Sequence, residues 1–377
     1  MKKYVSLLLL VPMLSFAQDV EKAYRSKEKE EYHNDWVNNY KPWEPMDINE
    51  IQAYKNPFFE VKEMKKYTPY KGSEEHQKYY HKSLTSKFKA SPELASKVDN
   101  KQIVKYEKKG LMEAIVYKRY EYPFANEASI DVAYSNNGGE SWTFYYTGIT
   151  HGQPLCLKSR SKTPLFNEQG DLQLEACLLR QISQPTRGYP LDYELVKDGL
   201  LLTIDLESLR KDSDGDGMTD IVETWYMTDS YDIDTDGDGI TEDLDMNPRR
   251  SGLRSDKTAI FEHLINYEFT DTLLTIAPDV CYTSETTRTV MIVTDNADIY
   301  AVQPKSNRII MLSAEEYENM RKYYQPMRKM NVSPLFKVDE EEESYLVSIA
   351  DDSGIWEFVV KKIDDGWKMD VVAIGIF

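Results

Sequence analysis

Apolar and polar positions alternate most regularly between residues 101 and 207. Turn-forming residues, including Asn136–Gly139 and Asp198–Gly199, separate the alternating segments. Six segments are rich in β-branched or aromatic residues, or alternate apolar and polar positions: Lys101–Tyr106, Met112–Tyr122, Ile130–Tyr134, Trp142–Thr147, Leu172–Leu179 and Leu200–Leu206. The pattern predicts a β-rich, sandwich-like domain of antiparallel strands over residues 101–210.

The regions on either side have different patterns. Residues 18–100 are rich in charged residues and Tyr, with helix formers over Asp19–Asn39 and several prolines afterwards, which predicts a helical or irregular N-terminal region. Residues 251–377 predict an α+β domain, and the whole chain is predicted to be an α+β multidomain protein. The elements expected in that last domain are a helix over Ala314–Arg328 and strands over Tyr345–Ile349, Ile355–Lys362 and Trp367–Ile376.

Two local patterns refine the C-terminal prediction. Ser313 stands directly before the predicted helix and Glu316 follows three residues later, which is the spacing of a capping box. Asp365-Gly366 is a turn sequence, so the last two strands are expected to form a hairpin.

Residues 1–17 have the layout of a secretory signal peptide. Lys2 and Lys3 precede an apolar run over 5–14, and Ser15-Phe16-Ala17 supplies small residues before a cut at Gln18. The run is too short to span a bilayer, and we find no other apolar stretch of about 20 residues. The mature chain is therefore expected to be a soluble periplasmic or extracellular protein with no membrane span.

Composition narrows the classes of partner. Hydrophobic residues make up 41% of the 377 residues, enough for folded cores. The net charge of −18 becomes −20 once residues 1–17 are removed, because that segment contains two lysines and no acids. So acidic a chain is a poor partner for nucleic acid or an anionic membrane, but it suits cations.

The chain has three cysteines, Cys156, Cys177 and Cys281, so at least one has no partner within the chain. Cys156 and Cys177 lie in the same β-rich region, and an oxidising compartment would permit a disulfide between them. Sequence alone leaves the bridged and the free states open.

The strongest chemical pattern lies in residues 211–250. Residues 212–223 match the twelve-residue calcium loop at every constrained position, with Gly217 at the sixth, where the chain turns sharply. The ligands predicted by position are Asp212, Asp214, Asp216, Met218 through its carbonyl, Asp220 through water, and Glu223 through both oxygens. Calcium is a hard cation that takes 6–8 oxygens, which explains the carboxylates at alternate positions.

A second loop starts 22 residues later, over residues 234–245, with Gly239 at its sixth position. Its predicted ligands are Asp234, Asp236, Asp238, Ile240 through its carbonyl, Glu242 and Asp245. Asp245 is one methylene shorter than the usual Glu at the last position, so this loop is predicted to bind calcium more weakly. An acidic linker without metal would need neither the glycine nor the last acid.

The segment DSDGDGMTDIVETWYMTDSYDIDTDGDGITEDLDMNP resembles the bacterial form of thrombospondin type 3 repeats. The resemblance implies Asp-rich loops that wrap calcium and a connecting segment like Tyr226–Asp229, with Asp229 and Asp232 as possible additional ligands. Ser230-Tyr231 departs from the usual Pro and Asn of that connection. An EF-hand pair is the alternative, but it needs a helix before each loop, and Gly199–Asp205 is instead typical of a strand.

The function predicted is that of a secreted calcium-binding protein whose two loops stiffen the connection between domains. A secreted carbohydrate-active hydrolase and a surface adhesin are the alternatives. Ser135–Trp142 resembles an Asp-box of sialidase-like propellers with Asn137 in place of Asp, but the motif occurs once and predicts a Gly-rich hairpin in which Trp142 packs against the sheet. No catalytic motif is found, which disfavours an enzyme.

Overall fold

The structure is a computed structural model, and the predicted signal segment, the predicted helix Asp19–Asn39 and Cys281 lie outside the residues it describes. Those residues are 59–72, 91–99, 102–119, 128–151, 155–181, 193–267, 288–305, 307–320, 328–339, 342–351, 354–364 and 366–376. They form a mostly β protein with two sheets.

The first sheet has eight strands, in the order β1-β8-β7-β6-β5-β4-β3-β2. Its neighbouring strands are antiparallel except β5 and β6, which pair in parallel at a single position, His151 with Leu155. The strands are β1 (Phe59–Glu63), β2 (Ile103–Lys109), β3 (Met112–Arg119), β4 (Ala128–Ser135), β5 (Thr143–His151), β6 (Leu155–Leu157), β7 (Leu172–Gln181) and β8 (Tyr193–Ile204). The strands predicted over 101–207 thus join one continuous sheet rather than the two stacked sheets of a sandwich.

Alternation along the strands buries both faces of the middle of this sheet. Val116 and Val132 face the main core, whereas Ile115 and Ala133, one position along, face a second cluster. The short helix α1 (Pro92–Lys97) covers that second cluster with Leu94. Because residues on both faces of these strands are buried, the segments contain more apolar residues than strict alternation would give.

The second sheet has seven strands, in the order β10-β9-β11-β13-β14-β15, with β12 paired to β13. Strand β9 is parallel to both of its neighbours, and the other pairs are antiparallel. The strands are β9 (Arg288–Val293), β10 (Asn307–Leu312), β11 (Arg328–Val332), β12 (Phe336–Lys337), β13 (Ser344–Asp351), β14 (Gly354–Ile363) and β15 (Gly366–Ile376). A 3₁₀ turn over Ala297–Ile299 follows β9.

Helices α2 (Leu206–Leu209) and α3 (Asp220–Tyr226) follow β8 along the chain, and two further helices belong to the second half of the chain. Helix α4 (Thr258–Tyr267) packs Phe261 and Leu264 into the core of the second sheet. Helix α5 (Ala314–Met320) follows β10. Among the described residues, none of the helices combines the length and the apolar character needed to cross a membrane.

The capping box is confirmed, because the Glu316 amide donates to Ser313 Oγ at 3.1 Å and the Ser313 amide donates to Glu316 Oε2 at 2.8 Å. The C-terminal hairpin is also confirmed by the pairing of β14 with β15. The predicted end of the helix is wrong, since Arg328 begins β11.

The predicted helical N-terminal region is not well supported. Its described residues give only a strand and the six-residue helix α1. The strand β1 pairs with β8 through residues 59–63, so this part of the chain extends the first sheet. Val61 is the only buried residue of β1, as is typical of a short edge strand. Such a strand is hard to recognise from sequence within a charged segment.

Candidate metal centre

The Asp-rich segment follows directly from the last strand of the first sheet. After β8 the chain makes the single helical turn α2 (Leu206–Leu209), then loop 1 (residues 212–223), whose last residues open helix α3 (Asp220–Tyr226). Loop 2 (residues 234–245) follows after turns and has no helix directly ahead of it. Full helices therefore do not precede the loops, as the strand pattern of Gly199–Asp205 predicts.

Each loop brings three aspartates together. One carboxylate oxygen from each of Asp212, Asp214 and Asp216 lies within 4.8 Å of the others. The same is true of the three aspartates of loop 2, Asp234, Asp236 and Asp238. Each of these two groups could hold a metal ion.

Backbone amides orient the carboxylates of loop 1. Asp214 Oδ1 accepts from the Asp216 amide at 3.1 Å, and Asp216 Oδ1 accepts from the Met218 amide at 2.6 Å. The second oxygen of each, Oδ2, is buried and has no hydrogen-bond partner. Buried carboxylate oxygens ordinarily have partners, so these two atoms mark a place where a cation would complete the structure.

The glycines at the sixth positions adopt the backbone conformation that the loop needs. Gly217 has φ +103° and Gly239 has φ +93°, values that L side chains rarely adopt. Their amides donate to the first aspartate of each loop, to Asp212 Oδ2 at 3.1 Å and to Asp234 Oδ2 at 2.8 Å. The chain therefore turns back over the first ligand position in both loops.

The backbone hydrogen bonds that close the two loops match at the 22-residue spacing. The Asp220 amide donates to the Lys211 carbonyl at 2.9 Å, and the Glu242 amide donates to the Ile233 carbonyl at 3.3 Å. The last acids also match, since the amides of Glu223 and Asp245 donate to carbonyls four residues earlier, at 3.0 and 2.8 Å. The sequence repeat is thus a structural repeat.

Glu223 has an unusual environment among the carboxylates that the structure describes. Its side chain is fully buried, and neither carboxylate oxygen has a hydrogen-bond partner. Burial, followed by the negative charges of Asp214 and Asp216, raises the pKa of Glu223 to about 8. A cation held between this carboxylate and those aspartates would stabilise its charged form.

The corresponding acid of loop 2, Asp245, differs from Glu223 because it has a hydrogen-bond partner. Asp245 is also almost fully buried, but its Oδ1 accepts from the Asn247 amide at 2.7 Å. Burial is the largest cause of the raised pKa of Asp245. Asp236 retains an unpartnered buried oxygen, and burial, against a hydrogen bond from the Asp238 amide, raises its pKa to about 6.

The acids at the ninth positions close the loops. Asp220 accepts from the Ser213 amide and hydroxyl, both at 2.8 Å, and from Lys211 Nζ at 2.6 Å. Burial acts to raise the pKa of Asp220, but these hydrogen bonds outweigh it and the net shift is downward. Asp220 therefore closes loop 1, and its role as a ligand through water stays a prediction.

Glu242 has the same place in loop 2 but differs in one respect. It accepts from the Thr235 amide through Oε1, whereas its Oε2 is buried without a partner. Its carboxylate is close enough to add to the negative potential at Glu223. The acid at the ninth position thus has a free oxygen in loop 2 and none in loop 1.

The remaining predicted ligands are outside the two groups. The Met218 side chain is buried in the main core, and Ile240 is partly exposed; their carbonyls remain predicted ligands. Asp229 Oδ1 accepts from the Tyr231 amide at 3.1 Å and Asp232 Oδ1 from the Asp234 amide at 3.3 Å, so both shape the connection between loops.

Helix α3 lies between the two sheets, a placement that the sequence does not reveal. The Trp225 ring lies 4.6 Å, centroid to centroid, from the Tyr146 ring of β5. The hydroxyl oxygens of Tyr226 and Thr289 of β9 are 3.0 Å apart and share a hydrogen bond. The main core includes Ile310 of β10 as well, so the first sheet, α3 and the second sheet share one hydrophobic cluster.

Loop 2 is attached to the second sheet by polar contacts. Arg308 of β10 donates from Nε to the Asp245 carbonyl at 2.8 Å and from Nη2 to the Asp243 carbonyl at 2.7 Å. The Ile309 amide donates to the Met246 carbonyl at 2.8 Å. The Asp-rich segment is thus packed against both sheets.

The Gly-rich hairpin predicted at residues 135–142 is confirmed. Ser135 Oγ accepts from the Gly139 amide at 2.9 Å, and Trp142 packs into the cluster on the outer face of the first sheet.

In the part of the chain that the structure describes, the only groups with metal-ligand geometry are the two Asp triplets. No protein-family model, no curated protein and no solved structure matches this chain.

Proposed function

We propose that this protein is a secreted calcium-binding protein in which two calcium ions lock the Asp-rich segment between its two sheets. The observation that carries the proposal is Glu223, a fully buried carboxylate whose two oxygens lack partners and face the charges of Asp214 and Asp216. A bound cation would neutralise this charge and supply the missing partners.

Calcium is the metal proposed because every ligand candidate is an oxygen. Neither Asp triplet includes a His or Cys, which disfavours zinc and copper. Magnesium favours strict octahedral geometry and keeps several waters, whereas a wrapped twelve-residue loop with a bidentate last acid suits calcium. The resemblance to thrombospondin type 3 repeats points to the same ion.

The role proposed for the ions is structural. Helix α3 begins inside loop 1 and carries Trp225 and Tyr226 into the core shared by both sheets. An ion that fixes loop 1 would therefore fix the helix, and one that fixes loop 2 would hold the segment against Arg308. The predicted α+β multidomain arrangement becomes, in this proposal, two sheet-based halves clamped by calcium.

Thermal unfolding and limited proteolysis, with calcium, with magnesium and with a chelator, test the proposal. The mature chain should gain stability and protease resistance with calcium and much less with magnesium. Asp212→Ala and Asp234→Ala should each remove part of the gain. Equal stability in calcium and chelator, with no effect of either substitution, would contradict it.

A further inference from the structure

We propose that Cys156 and Cys177 form a disulfide that joins β6 to β7 when the protein folds in an oxidising compartment. The two residues are directly opposite each other in the antiparallel pairing of these strands. Both side chains are fully buried, in a small cluster with Leu179 and Tyr70. Sequence alone places them in the same region, but not at the same register position.

The strand geometry fits a disulfide. Extending the observed register by one position beyond Leu157 places Lys158 opposite Glu175, and the Lys158 amide donates to the Glu175 carbonyl at 2.8 Å. Because hydrogen-bonded and non-hydrogen-bonded pairs alternate, Cys156 and Cys177 form a hydrogen-bonded pair with Cα atoms about 5.5 Å apart. That separation lies within the range of about 4.4–6.8 Å that disulfides span.

The two thiols are already in contact. A hydrogen bond with Cys156 and, after it, burial raise the pKa of the Cys177 thiol. Such thiols react poorly in the folded state, so the bond is expected to form during folding, before β6 and β7 close over them.

The chemistry needs an external disulfide, and oxidised glutathione or a thiol–disulfide oxidoreductase supplies it. One cysteine thiolate attacks a sulfur of that disulfide and releases the first thiol. The second cysteine thiolate then attacks the mixed disulfide and releases the second thiol. The protein loses two hydrogens and the external disulfide is reduced to two thiols.

The position of the bond gives it a structural consequence. Strand β6 has three residues and pairs with β5 at one position only, so β5–β6 is the thinnest connection in the first sheet. A disulfide would fix β6 to β7 and close a loop of about 20 residues. The oxidised protein should therefore unfold at a temperature higher by about 4 °C than the reduced protein.

The test uses the mature chain with Cys281→Ser, which leaves only the two cysteines in question. The reduced protein is unfolded, refolded with calcium in a buffer of oxidised and reduced glutathione, and denatured in acid for thiol counting and mass measurement. No free thiol, a mass lower by two hydrogens and a monomer on a non-reducing gel are the expected results. Two free thiols, a retained glutathione or a linked dimer would overturn the proposal.

A matched variant separates the bond from the effect of mutation. Cys156→Ala with Cys177→Ala, in the Cys281→Ser background, keeps small apolar side chains in the cluster. Its unfolding temperature should not change when a reductant is added, whereas that of the Cys281→Ser protein should fall. An equal response of both proteins to the reductant would contradict a stabilising bond.

Discussion

Replacing Glu223 with Gln should raise stability without calcium and reduce the stability that calcium adds. The substitution keeps the shape of the side chain but removes its charge and one good calcium ligand. In chelator, the wild-type protein holds a buried carboxylate with no hydrogen-bond partners. Burial and the charges of Asp214 and Asp216 raise the pKa of Glu223 to about 8, which destabilises the folded wild-type protein at neutral pH; E223Q removes this cost and should be more stable by roughly 1–3 kcal/mol.

Calcium should reduce or remove this advantage. Extracellular modules bind calcium with Kd values from about 10⁻⁴ M, so about 10 mM calcium is about 100 times such a Kd. A site at that saturation stabilises the folded state by about 2.7 kcal/mol. E223Q should lose most of this contribution from loop 1, so calcium should raise its unfolding temperature by about 3–4 °C less than it raises that of the wild type.

Urea unfolding and calorimetric calcium titration measure both effects. Glu207→Gln is the matched control, because Glu207 is exposed and lies in α2 just before loop 1. It should leave the calcium response unchanged, and E223Q should bind about one calcium fewer than the control. An E223Q protein that responds to calcium like the wild type would refute the assignment of Glu223 as a ligand. Destabilisation of E223Q in chelator would show that its charge already has a partner.

Three further predictions concern other residues. Asp245→Asn should reduce the calcium-dependent gain less than E223Q does, because one Asp245 oxygen already accepts the Asn247 amide; equal losses in titration would contradict the ranking of the loops. Burial opposes the shift at Glu316, but the Ser313 amide and the two arginines beside it lower its pKa to about 2, so its stabilisation should disappear as the pH falls from about 4.5 towards 2. Urea unfolding across that range should show a flatter profile for Glu316→Gln, and parallel profiles would exclude this contribution. Trp225→Ala should cost about 3–5 kcal/mol in unfolding free energy, because the ring is buried against Tyr146, and a cost below about 1 kcal/mol would contradict its place in the shared core.

The local patterns of the sequence were enough to predict the loops and the C-terminal hairpin. Their determinants are short-range: a glycine that must adopt a positive φ, carboxylates at alternate positions, and a turn dipeptide between two strands. The capping box of Ser313 and Glu316 belongs to the same class, because the interacting atoms are three residues apart.

Features that depend on distant pairing were not predictable in this way. The pairing of β1 with β8 joins residues more than 130 positions apart, and a charged edge strand has little periodicity of its own. The ion pair of Asp220 with Lys211 was not predicted, because Lys211 lies just before the twelve-residue template.

The position of α3 changes what calcium would do in this protein. In a flexible linker, an ion stiffens only the residues that wrap it. Here the helix that starts within loop 1 ends with Tyr226, whose hydroxyl bonds to Thr289 of the second sheet, while Trp225 packs on the first. Loss of the ion from loop 1 would release a buried helix end, and with it contacts to both sheets. Calcium dependence should therefore extend beyond the loops to the whole shared core.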